Sequence, residues 1–109
     1  MKEASLNLAG VPFKNRVIIA AGCHGADGET IVRSSKTGVA AIVTKTIVAN
    51  AVEDVRPCFT IVDGGFINSV FGTTLSSRQW FDVELPKAKE AGIPIIASLA
   101  GLHPAEAAD

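Results

Sequence analysis

The chain has 109 residues, 48% of them hydrophobic and 19% charged, and ten basic against eleven acidic side chains leave a formal charge of −1. That composition is too rich in core residues for a disordered segment, and without a block of like charge it gives no footprint for nucleic acid and no polybasic membrane patch. Lys2, Glu3 and Asn7 break up the first residues, unlike a secretion signal, and no apolar run approaches the ~20 residues of a membrane span. The sequence therefore reads as a cytoplasmic protein acting on a small molecule, and Cys23 and Cys58 read as reduced thiols rather than a disulfide.

Leu6-Asn7-Leu8-Ala9-Gly10-Val11-Pro12-Phe13 alternates apolar residues around a Gly turn, the pattern of a short hairpin that acts as lid or plug ahead of the main fold. Val17-Ile18-Ile19-Ala20-Ala21 is a continuous apolar run closed by Gly22, as in a parallel strand buried on both faces. A helix follows from Asp27, a side chain suited to an N-cap, to Gly38, which suits the left-handed cap. Val39-Ala40-Ala41-Ile42-Val43-Thr44 is a second buried strand, so strand, helix and strand make one right-handed crossover unit.

Residues 45–76 interrupt the period. They hold Arg56-Pro57, the alternating Phe59-Thr60-Ile61-Val62 and the turn Asp63-Gly64-Gly65, which together predict an excursion with short strands of its own. A helix runs from Ser77 to a Gly92 cap, with Pro86 kinking it or dividing it in two. Residues 93–98 form a third strand, and Pro104 opens a further helix in an Ala/Glu run. Three βα units plus a hairpin predict an α/β fold of the (β/α)₈ TIM-barrel kind, as one incomplete domain over residues 1–109.

In such folds ligands gather at the carboxyl ends of the strands. After the first strand, Ala20, Ala21 and Gly22 leave room for a flat ligand against the backbone, or form an ordinary tight turn. After the second, Lys45 has its stem walled in and its ammonium at the mouth, where it either balances a developing anion or snorkels to the rim. Small residues from Ser98 to Gly101 follow the third strand. Asn68 offers a donor and an acceptor suited to a ring amide, or simply forms a turn. His24 and His103 have no cysteine or carboxylate at metal-ligand spacing, and neither GxGxxG nor a GK[ST] phosphate loop occurs, so no metal or nucleotide-loop site is predicted.

In order, NRVIIAAG (15–22), AIVTKT (41–46), Arg56-Pro57, FINS (66–69) and IIASLAG (95–101) resemble the N-terminal motifs of the dihydroorotate dehydrogenases, a family that includes the pyrimidine-reducing domain of dihydropyrimidine dehydrogenases. The resemblance implies an FMN-dependent barrel. Residues matching Ala20, Ala21, Gly22, Lys45 and Thr46 lie at the flavin, with Lys45 also facing the substrate and Asn68 bonding its pyrimidine ring. A cation at Lys45 would stabilise the anionic reduced flavin. Where the family continues its asparagine motif as a Gly-Leu-Pro-Asn type segment, this chain has Val70-Phe71-Gly72-Thr73-Thr74-Leu75, which bears on whether orotate is the substrate.

The family's catalytic Cys or Ser base follows its fourth strand, and its phosphate loops lie near the seventh and eighth. Neither Cys23 nor Cys58 matches that base. The implied function is a flavin oxidoreductase acting on the CH–CH bond of a dihydropyrimidine-like substrate, with the rest of the barrel or a partner chain, as an oligomer, completing it. By itself the chain is expected to be inactive. A Schiff-base lyase using Lys45 and a catalytically silent barrel piece are the alternatives.

Overall fold

The computed structural model describes residues 6–70 and 72–108; residues 1–5, 71 and 109, including both ends of the expected domain span, lie outside it. β1 (Leu6–Leu8) and β2 (Val11–Phe13) pair antiparallel, with Leu6 opposite Phe13. Ala9 (φ 52°) and Gly10 (φ 84°) both take positive φ, as a two-residue turn matching the twist of its strands requires. The Asn7 side chain accepts the Gly10 N–H at 3.0 Å. Phe13 is buried with Ala40 and Ala41, the residues that lead into the next strand but one, so the hairpin plugs the amino end of the sheet instead of covering its carboxyl end.

β3 (Ile18–Ile19), β4 (Ala41–Val43) and β8 (Ile95–Ile96) form a parallel sheet in that order, with Ile19 beside Ile42 and Ile42 beside Ile95. Three strands, all parallel and joined through helices, are what the crossover pattern of the sequence predicts. Ile42, Ile31, Val39, Ile47, Trp80 and Ala88 make the buried cluster, and Ile19, Ile95 and Leu85 pack against it. The expectation of strands buried on both faces holds for this helix-covered face alone. On the other, Ile18 and Ile96 are 40% and 38% exposed, with no described element lying opposite them.

The helical layer starts with α1 (Gly28–Ser35), capped by Asp27, whose carboxylate accepts the Thr30 N–H at 2.7 Å. A second run comprises α2 (Ser77–Gln79), a π turn (Trp80–Glu84), α3 (Leu85–Ala88) and a 3₁₀ turn (Lys89–Ala91), closed by Gly92 at φ 65°. The expected kink or break at Pro86 is a widening instead. A proline ring clashes with the carbonyl four residues earlier and offers it no N–H; the wider turn, with Leu85 N–H bonded to the Trp80 carbonyl, takes up the mismatch without breaking the helix. The two helices touch so closely that a Cβ on Gly28 would stand 2.5 Å from the Glu84 carbonyl.

The excursion carries β6 (Phe59–Val62) and β7 (Gly65–Asn68), an antiparallel hairpin whose eight residues are all exposed. Two strands absent from the sequence reading complete the set: β5 (Ile47–Val48) and β9 (Leu99–Ala100), paired in parallel. A helix, α4 (Pro104–Ala108), begins where Pro104 predicts it. Among the described residues no helix is long and apolar enough to cross a membrane.

Candidate functional site

Lys45 and Thr46 do not follow the end of a strand, as the sequence reading has it; they sit inside one. Thr44 N–H donates to the Ile96 carbonyl at 2.9 Å, and the next bond of the ladder runs from Ile47 N–H to the Ser98 carbonyl at 2.8 Å. Three steps along one strand thus oppose two along its neighbour, so β4 and β5 are one strand broken by a bulge, and β8 and β9 are its partner. Bulges re-aim side chains and occur beside active sites more often than elsewhere.

Side chains fill the gap that the extra residue opens. The Thr44 hydroxyl, fully buried, accepts the Ser98 N–H at 3.0 Å in place of a backbone carbonyl, and the Thr46 and Ser98 hydroxyls bond each other at 3.1 Å. Lys45 N–H donates to the Gly25 carbonyl at 2.6 Å, and the Thr46 carbonyl accepts the Thr73 N–H at 2.9 Å. The bulge is thereby fixed from three sides: the loop after β3, the partner strand and the end of the excursion.

Glycine is demanded in the loop after β3 at Gly25, not at Gly22. A Cβ on Gly25 would lie 2.3 Å from the Val43 carbonyl oxygen, whereas one on Gly22 would meet only the Ala20 carbonyl, at 4.0 Å. Gly22 is extended and opens the 3₁₀ turn Cys23–Gly25; that turn does not require it to be glycine. Ala20 and Ala21 are exposed beside it. Ala20, Ala21 and Gly22 therefore form a shelf without side chains beyond Cβ, next in line to the bulge at the same end of the parallel sheet.

A cavity of about 250 Å³ lies beneath the excursion, bordered by Cys23, Lys45, Arg56, Cys58, Ser69 and Thr73 among others. Arg56 pairs with Asp54 at 2.9 Å on the exposed rim, and that hydrogen bond, with the charge behind it, raises its pKa. Asn68 is not part of this cavity. It borders a separate, shallower depression with Pro57 and Ile67, and its Oδ1 accepts the Val70 N–H at 3.3 Å, the local turn that an asparagine readily makes. The structure thus brings Ala20, Ala21, Gly22, Lys45 and Thr46 to one end of the sheet and leaves Asn68 outside. Among the described residues no group of three or more His, Cys, Asp or Glu is placed to hold a metal ion.

Sequence reasoning placed Thr44 and Ser98 at strand ends but gave them no role, and it gave none to Thr73. The hydroxyls of Thr44 and Ser98 were visible there, but which groups meet depends on the bulge.

No family model matches the chain. It is 36% identical over 105 residues to the catalytic subunit of dihydroorotate dehydrogenase B (NAD(+)) of Methanocella arvoryzae, covering 95% of this chain and 35% of that protein. The same subunit of Methanosarcina acetivorans is 38% identical over 106 residues, with 94% and 34% covered, and that of Endomicrobium trichonymphae is 29% identical over 101 residues, with 92% and 33% covered. The chain spans about a third of the length of the curated relatives it matches.

Proposed function

We propose, for a chain that belongs to the dihydroorotate dehydrogenase family over the stretch it spans, that it supplies the flavin-edge part of an oxidoreductase acting on the CH–CH bond of a dihydropyrimidine-like substrate. The observation that carries this reading is the bulge that sets Lys45 and Thr46 beside the open shelf of Ala20, Ala21 and Gly22.

These residues fit a flat, polar-edged ring such as the isoalloxazine of FMN. The shelf gives backbone and methyl surface for an apolar face, with empty space above Gly22. The ammonium of Lys45 and the hydroxyl of Thr46 suit carbonyl and nitrogen edges. A flavin held there would take up the electron pair removed from the substrate's CH–CH bond. Lys45, whose backbone is tied to Gly25 and which is half-buried as a residue, would contribute a positive charge at the ring's edge; a charge preorganised there needs no reorganisation during reaction. The Thr46 hydroxyl is paired with that of Ser98, and the Thr46 backbone carbonyl accepts the Thr73 N–H. Asn68 belongs to this proposal as a ring-binding residue only if the excursion turns its amide inward. The proton removed from the substrate goes to a base outside this chain.

The rest of the barrel, or a partner chain, is proposed to cover the face bearing Ile18 and Ile96 and to supply the contacts for the FMN phosphate. The test is to load the intact protein with FMN and follow flavin bleaching on anaerobic addition of dihydroorotate or dihydrouracil. Bleaching by either supports the reading. Failure of both, with borohydride trapping of a carbonyl substrate on Lys45, would replace it with a Schiff-base lyase.

A further inference from the structure

Thr73 lies in the segment where this chain departs from the family pattern, yet it is among the most firmly held residues of the site. It is 3% exposed. Its N–H donates to the Thr46 carbonyl at 2.9 Å, its carbonyl accepts the Val52 N–H at 3.0 Å, and its hydroxyl accepts both the indole N–H of Trp80 and the backbone N–H of Leu75 at 3.1 Å. Trp80, fully buried in the helical layer, packs in the cluster that contains Ile42 and Ile47, on either side of the bulge. One hydroxyl therefore ties the scaffold to the excursion, and the amide of the same residue ties the excursion to the bulge. Thr73 also borders the cavity that Lys45 enters. A residue wanted for volume alone could be valine; two donors converging on a buried oxygen require the hydroxyl.

We infer that Thr73 is a positioning residue: anchored by Trp80, it fixes the backbone of Thr46 and thereby the aim of Lys45. The inference rests on the reading of Lys45 as the charge at the flavin edge. Its own signature is a change at Lys45 that tracks the Thr73 hydroxyl whether or not the flavin turns over.

The test compares Thr73→Val, Thr73→Ser and Trp80→Phe in the intact protein. Lysines are reductively methylated with ¹³C-formaldehyde, the Lys45 resonance is assigned with Lys45→Arg, and flavin reduction is timed in parallel. Thr73→Val and Trp80→Phe are expected to move or broaden the Lys45 resonance and to slow flavin reduction by about tenfold or more, as small misplacements of reacting groups do, with KM nearly unchanged. Thr73→Ser restores both. A Lys45 resonance identical in Thr73→Val, Trp80→Phe and wild type overturns the inference, whatever the rates. A resonance that follows the hydroxyl while even wild type fails to reduce FMN sustains the positioning role and overturns the flavin reading alone.

Discussion

Ser98 donates its backbone N–H to the hydroxyl of Thr44 at 3.0 Å, so a side chain stands where a parallel ladder would place a carbonyl. This bond keeps the extra residue of the bulge from leaving an N–H unsatisfied next to a fully buried threonine. Thr44→Val keeps the shape and removes the acceptor. It is expected to cost about 1–3 kcal/mol in urea unfolding of the intact protein, with Thr44→Ser recovering most of the loss. Equal stability of the valine variant and wild type would mean that the bulge closes without this bond.

Gly22 and Gly25 should behave oppositely. Gly25→Ala drives a methyl into the Val43 carbonyl and is expected to destabilise by about 1–3 kcal/mol, the range for overpacking. Gly22→Ala meets nothing closer than the Ala20 carbonyl at 4.0 Å, so its melting temperature should match wild type. Gly22→Leu should also fold, yet weaken FMN binding if the ring lies over that position. Fluorescence titration of FMN against the two Gly22 variants checks the shelf without reference to turnover.

Glu84 accepts the Gly28 N–H at 2.8 Å from the neighbouring helix and also bonds the Gln79 side chain at 3.0 Å, which places a nearly buried carboxylate at the start of α1. A negative group there is favourable, because the first N–H groups of a helix lack partners inside it. Glu84→Gln should lower stability by roughly 0.3–1 kcal/mol through loss of charge. Glu84→Ala should cost more, since it also leaves the Gly28 N–H unpaired. Thermal melts that rank the two alike would mean the charge, not the hydrogen bond, carries the effect.

Residues 1–109 expressed alone should associate or aggregate and should not quench FMN. Among the described residues the parallel sheet ends in β3 on one side and β8 on the other, and its uncovered face presents Ile18 and Ile96. Analytical ultracentrifugation with an FMN titration checks this. A monodisperse, cooperatively melting monomer that binds FMN at micromolar concentration would contradict the proposed need for a partner.

What the sequence made legible was local. Asp27 before an amphipathic run, Gly92 after one, and Val/Ile runs closed by small residues each carry their element within a few positions, and the structure places the helices and parallel strands accordingly. The positions of Ala20, Ala21, Gly22 and Lys45 at one end follow from the crossover rule. What stayed hidden was non-local. The bulge depends on how Thr44–Thr46 registers against Ser98, residues more than fifty apart, and no propensity encodes that. Leu99–Ala100 looked like a loop because small residues carry no strand signal, while their pairing with Ile47–Val48 follows only once the bulge has shifted the register. The π turn shows as no more than the presence of Pro86.

If Lys45 is a preorganised charge at the edge of a bound flavin, anaerobic stopped-flow flavin reduction will separate wild type from Lys45→Ala. The rate should fall on the order of 100-fold, as when one preorganised electrostatic contact is removed from an active site, while the melting temperature stays close to wild type because the ammonium is not part of the core. Unchanged reduction kinetics would show that Lys45 merely reaches the rim, and that the bulge serves some purpose other than aiming it.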